Sequence, residues 1–176
     1  QFKQMLLSIA EKYPNHIESK STILHALFQC DWKALPQKLD LLLPTHCHHI
    51  ITNHAPKLDY EDCDGRTALH YFAIGISEFP NAADKLWLLI FHLKTPQNVN
   101  AKDCYERTAL HYMARGFSEE PDTANTLGRL ICSLTTPENV NTKDCVQRTA
   151  LHYMAMEILK QPDAAETFYS QICYLK

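Results

Sequence analysis

Two stretches of the chain carry apolar residues at the spacing of a helix that buries one face. Leu86, Leu89, Ile90 and Leu93 fall three and four residues apart within 81–94, and Leu127, Leu130, Ile131 and Leu134 do the same further on. Both faces predict core. Ahead of each stands a proline followed by Asn or Asp, Pro80-Asn81 and Pro121-Asp122, and the pair returns as Pro162-Asp163. Proline is tolerated in the first turn of a helix, and an Asx side chain accepts the unbonded N–H groups there, so a helix is predicted to begin at each pair. Residues 29–43, QCDWKALPQKLDLLL, predict a further helical piece. The longest apolar run, LWLLIF at 86–91, is far shorter than the roughly 20 residues that cross a bilayer.

The helical pattern sits inside a repeat. NVNAKDCYERTALHYMA at 98–114 returns as NVNTKDCVQRTALHYMA at 139–155, and KLDYEDCDGRTALHYFA at 57–73 precedes both. The period is 41 residues. A degenerate copy, STILHALF at 21–28, places Thr22, Leu24 and His25 where the others have Thr67, Leu69 and His70. Periods of about 20–50 residues mark solenoids, in which a unit buries its apolar face only by stacking on its neighbour. A turn followed by Thr-Ala-Leu-His and two helices resembles the ankyrin repeat, with Ala109 where that family usually has proline. The resemblance implies an all-α ankyrin-repeat solenoid of about four helix-turn-helix units with short turns or hairpins between them. The units run about 20–58, 59–99, 100–140 and 141–176, behind an N-terminal helical cap at 1–19, as a single domain over 1–176. Units of that family are about 33 residues long, and here the surplus falls between the two helices.

Several columns recur with the period. His25, His70, His111 and His152 invite catalysis or metal binding, but the resemblance implies that they hydrogen-bond within and between turns. Thr22, Thr67, Thr108 and Thr149 are placed to cap the first helices. Cys63, Cys104 and Cys145 lie on the turns, about 10 Å apart if the units pack like helices, too far for disulfide bonds. In THCHHIITNH at 45–54, His46 and His49 share a helical face while Cys47 and His54 lie two turns apart on another, so the spacing does not present a complete tetrahedral zinc set. No metal, cofactor or catalytic residue is expected.

Composition narrows the partners. With 45% hydrophobic and 21% charged residues the chain belongs with folded globular proteins. A net charge of −3 with scattered cations argues against nucleic acid as the main partner. An odd count of 7 cysteines without a signal-peptide pattern points to a reducing, intracellular compartment. Both ends read as cut from a longer chain, from which a targeting segment could have been lost. Expanded units rich in Lys, Asn, His and Cys are similar in style to those of effectors that intracellular bacteria deliver into a host cell, where cytoplasm or nucleus would be the destination. An ordinary eukaryotic adaptor is the other source the style allows.

The resemblance implies a noncatalytic, monomeric module that binds a protein or peptide in a concave groove. The groove positions are Glu61, Asp64 and Arg66; Lys102, Tyr105 and Arg107; Lys143, Val146 and Arg148; with Tyr71, Tyr112 and Tyr153 behind them. Tyr and Arg are enriched at binding hot spots. Arginine pairing with the turn aspartates, and tyrosine as half-buried packing, are the competing readings. The alternative function is substrate capture for an enzyme whose catalytic domain lies outside the chain. Asn100 and Asn141, each in a Val-Asn pair at a unit junction, are candidates for hydroxylation, or for bridging the turn with the side-chain amide.

Overall fold

The computed structural model describes residues 61–83, 87, 90–91, 93–116 and 121–160. The expected cap at 1–19, the first unit with its segments at 21–28, 29–43 and 45–54, the core positions Leu86 and Leu89, and the helix start at Pro162 lie outside them.

Among the described residues the secondary structure is helical, without strands. In chain order the helices are α1 (Ala68–Glu78), a 3-10 turn (Pro80–Ala82), α2 (Pro96–Asn100), α3 (Ala109–Met113), α4 (Pro121–Leu134) and α5 (Ala150–Lys160). Ala83, Trp87, Ile90, Phe91 and Leu93 are helical as well. Pro80 opens the 3-10 turn as the pattern predicts, Pro96 follows the cap Thr95 of α2, and Pro121 is the first described residue of α4.

Thr67 and Thr108 precede α1 and α3 in extended conformation, φ −90° for both, so each helix starts abruptly at the following alanine. α3 packs against α1 on one side, α5 on the other, and α4 behind. The core between them holds Leu69, Phe72 and Ile76 of α1, Leu110 and Met113 of α3, and Leu127, Leu130, Ile131 and Leu134 of α4. Ile90 and Leu93 are also fully buried, so the described positions of both predicted helical faces are core.

α1 runs 11 residues and α5 is helical through all 11 of its described residues, whereas α3 stops after five. Its end tightens through Arg115 N–H to the Tyr112 carbonyl (3.1 Å) and Gly116 N–H to the Met113 carbonyl (2.9 Å). A Cβ at Gly116 would lie 3.2 Å from that carbonyl and 3.3 Å from the Ser77 Cα of α1. Glycine therefore lets the end of this turn approach α1. Gly75 holds the same place in α1 without ending the helix, so glycine permits the turn and does not impose it.

Candidate interaction surface

Each copy of Asp-Cys-x-x-Arg folds into a tight turn. The Asp62 carbonyl accepts from Gly65 N–H (3.0 Å), and Asp62 N–H donates to the Arg66 carbonyl (2.9 Å). The Asp62 carboxylate closes the loop from inside, Oδ1 accepting from the amides of Asp64 and Arg66 at 2.9 Å each. Asp103 and Asp144 do the same for their own turns at 2.9–3.0 Å. Adjacent turns are joined through backbone: Cys104 N–H donates to the Asp64 carbonyl (2.7 Å) and Cys145 N–H to that of Tyr105 (2.9 Å). The turns form a hydrogen-bonded ridge.

His70 and His111 tie adjacent copies together. Thr67 N–H donates to His70 Nδ1 (3.1 Å), which places the ring proton on Nε2, and Nε2 donates to the Arg107 carbonyl (3.0 Å). His111 repeats this with Thr108 N–H (3.1 Å) and the carbonyls of Thr142 and Arg148 (3.1 and 3.2 Å). Burial is the main cause that lowers the pKa of both rings; nearby Arg66 and Arg107 add to it, and backbone acceptors with Asp103 and Asp144 oppose it. A neutral imidazole locked by two backbone bonds is a bracket between turns, without a free lone pair for catalysis.

The tyrosine column departs from the groove expectation. Tyr112 and Tyr153 are 6% and 7% exposed, and their hydroxyls donate to the Oδ2 atoms of Asp103 and Asp144. Tyr71 is half-buried and donates likewise to Asp62. Desolvation, then the bond to Asp103 and its charge, pushes the Tyr112 phenol up to about 12. Desolvation and Asp144 raise Tyr153 in the same sense, so both remain protonated donors. Tyr112 and Tyr153 pack inside the molecule and Tyr71 half inside it, each hydroxyl reaching the carboxylate of its own turn.

The arginines join successive turns. Arg107 Nε lies 3.4 Å from Asp144 Oδ2, and its guanidinium carbon is 5.2, 5.8 and 5.7 Å from the ring centres of Tyr105, Tyr112 and Tyr153. Arg66 Nε is 3.8 Å from Asp103 Oδ2, with Tyr71 5.8 Å away. Arg148 is exposed. Desolvation would raise the Asp144 carboxyl, but bonds from Tyr153, the Arg148 and Val146 amides and Arg107 outweigh it and hold the group below its ordinary range.

What faces solvent is the tips of the turns. Tyr105 is 46% and Val146 54% exposed, on turns joined to each other, beside exposed Lys102 and Lys143. Cys63, Cys104 and Cys145 are exposed free thiols. Desolvation and the carboxylates of Asp103 and Asp64 push the Cys104 thiol up, away from the thiolate that a reactive cysteine needs.

At the junctions the bridging amide belongs to a different asparagine from the expected pair. Asn98 and Asn139 are buried at 0% and 1%, their Nδ2 atoms donating to the carbonyls of Leu93 (2.8 Å) and Leu134 (2.7 Å). Asn139 Nδ2 reaches the Val99 carbonyl too (2.9 Å). Asn100 and Asn141 are exposed, Asn100 Oδ1 accepting from Thr136 Oγ1 at 3.1 Å. The signal was Thr-Pro-x-Asn: Thr95 and Thr136 accept from the amide three residues on, which turns Asn98 and Asn139 inward.

Among the described residues no group of three or more His, Cys, Asp or Glu could hold a metal, and no helix is long and apolar enough to cross a membrane. No protein-family model, curated protein or solved structure matches the chain.

Proposed function

We propose that the chain is a noncatalytic interaction module of the ankyrin type, binding a protein or peptide segment along the ridge of its turns. The observation that carries this is the pair of exposed apolar side chains, Tyr105 and Val146, on turns joined by the bond from Cys145 N–H to the Tyr105 carbonyl. Lys102 and Lys143 flank them. Backbone bonds and the turn aspartates fix both turns, so the tips are presented with little conformational entropy left to lose on binding. An apolar residue flanked by carboxylates fits this surface. Arg66, Arg107, Tyr71, Tyr112 and Tyr153 support the tips from beneath, and Arg148 lies at the edge of the ridge. Delivery into a host cell, with the host cytoplasm or nucleus as the place of action, belongs to the same reading.

Selection of displayed peptides on the immobilised chain tests it. Selected peptides should be rich in Asp or Glu around one aliphatic or aromatic residue, and Tyr105→Ala or Val146→Ala should weaken them about tenfold or more, as for a hot spot. Melting temperatures should stay put, since both side chains are exposed. Peptides that bind the two variants as well as the parent would sink the proposal.

A further inference from the structure

Identical residues meet different surroundings in the three described copies. Leu69 and Leu110 are fully buried, and Leu151 is 50% exposed. His70 and His111 are 0% and 1% exposed, whereas His152 faces solvent. Ala73 and Ala114 are buried, and Ala155 is exposed. Met156 and Leu159 extend this apolar face along α5, at 37% and 80% exposure.

The polar groups follow the same division. In the first two copies the histidine Nε2 donates to carbonyls of the next copy, at 3.0 Å for His70 and 3.1 Å for His111. The third residue of the turn accepts an amide from the next copy, as at Asp64 and Tyr105. The turn arginine meets the next aspartate, at 3.8 Å for Arg66 and 3.4 Å for Arg107. A tyrosine of the next copy stands edge-on to the histidine, with ring centres 6.2 Å apart for His70–Tyr112 and 6.1 Å for His111–Tyr153. Among the described residues, the His152 Nε2, the Val146 carbonyl and the Arg148 guanidinium have no such counterparts.

We infer that the outward face of α5 with the turn before it is a docking site for a further helical unit of this chain's own pattern, joined to it covalently. One sequence supplies every missing counterpart at the right spacing: Asp-Cys-x-x-Arg-Thr-Ala-Leu-His-Tyr gives a carboxylate for Arg148, an amide for Val146, carbonyls for His152 and a tyrosine edge. Covalent continuity follows from the junctions. The Thr-Pro-x-Asn-Val-Asn turn that leads into a copy docks as well, Asn139 Nδ2 on the Val99 carbonyl (2.9 Å) and Thr136 Oγ1 on Asn100 Oδ1 (3.1 Å). Asn141, which corresponds to Asn100, is exposed and ready for the same contact. This inference stands apart from the ridge of turn tips, since it concerns the end of the stack.

The test appends a duplicate of residues 136–176 after Lys176 and compares the extended chain with the original by thermal unfolding, hydrogen exchange and sedimentation. Docking should raise the melting temperature by roughly 5 °C or more, because new apolar surface is buried in one cooperative unit. Leu151→Ala should leave the original chain's melting temperature unchanged and lower that of the extended chain, whereas Leu110→Ala, at a buried position, should lower both. Appended residues that stay unprotected in exchange, or a Leu151→Ala variant that remains neutral in the extended chain, overturn the inference. So does a concentration-dependent dimer of the original chain abolished by Leu151→Asp, which would assign the face to a second copy.

Discussion

At the scale of single residues, the turn aspartates do the most. Asp103 Oδ1 closes its own turn through two amides, while Oδ2 accepts from the Tyr112 hydroxyl and faces Arg66 of the preceding turn. The carboxylate is 5% exposed, and an unpaired charge at that depth would cost several kcal/mol, so its partners are requirements of the fold. Tyr112 is one of them. Tyr112→Phe keeps the ring and removes one donor to a charged acceptor, which should cost about 1.5–3 kcal/mol in urea unfolding. Tyr112→Ala adds a cavity and should cost about 3–5 kcal/mol, by analogy with other aromatic truncations in cores. Loss below about 0.5 kcal/mol in both would show that the ring faces solvent after all. A tyrosine follows His70, His111 and His152 in the sequence, but nothing there tells a ring turned outward from one turned down, because that depends on how far the hydroxyl is from the turn carboxylate.

At the scale of elements, the turn asks for one left-handed residue and the three copies answer differently. Gly65, Glu106 and Gln147 all have positive φ, at 74°, 59° and 65°. Left-handed backbone costs a residue with a side chain roughly 1–2 kcal/mol, whereas glycine adopts it freely but gives up more entropy on folding, about 0.4–1 kcal/mol. The strain is the larger quantity. Glu106→Gly should therefore stabilise the chain, by about 0.5 kcal/mol, with little lost from the exposed pair to Lys102 at 3.9 Å. Gly65→Ala should do the opposite by about 1–2 kcal/mol, since it meets the same φ penalty and its Cβ would sit 3.3 Å from the Lys102 carbonyl. Equilibrium unfolding of the two variants checks both signs. The turns themselves were legible, because Asp-x-x-x-Arg recurs in register, and so was the start of the 3-10 turn at Pro80. The early end of α3 was not, since its residues Ala109–Met113 nearly match Ala68–Phe72 at the start of the longer α1.

At the scale of the whole molecule, stacking converts local hydrogen bonds into a response to pH. The period and the apolar faces of Ile90, Leu93 and α4 made a helical core readable from sequence, since burial at 3- and 4-residue spacing leaves few other solutions. The exposure of Leu151 and His152 was unreadable, because identical residues are buried or bare according to what lies beside them. The buried histidines carry the consequence. Their folded pKa values are depressed, mainly by desolvation, while the unfolded chain binds a proton near 6.5. The unfolded state thus takes up more protons below that value, and stability that is complete above about pH 7 is lost as pH falls toward the folded pKa values. Each histidine should add a slope of up to about 1.4 kcal/mol per pH unit in that window. Asp144, whose folded pKa is also lowered, stabilises above the ordinary carboxylate range and is lost only at more acid pH, so the histidines act first. Urea midpoints at pH 7, 6 and 5 should fall in sequence, with His111→Gln lowering every midpoint but cutting the slope by about half. A midpoint that stays level from pH 7 to 5 in the parent would mean that neither ring is held neutral by its bracket of backbone bonds.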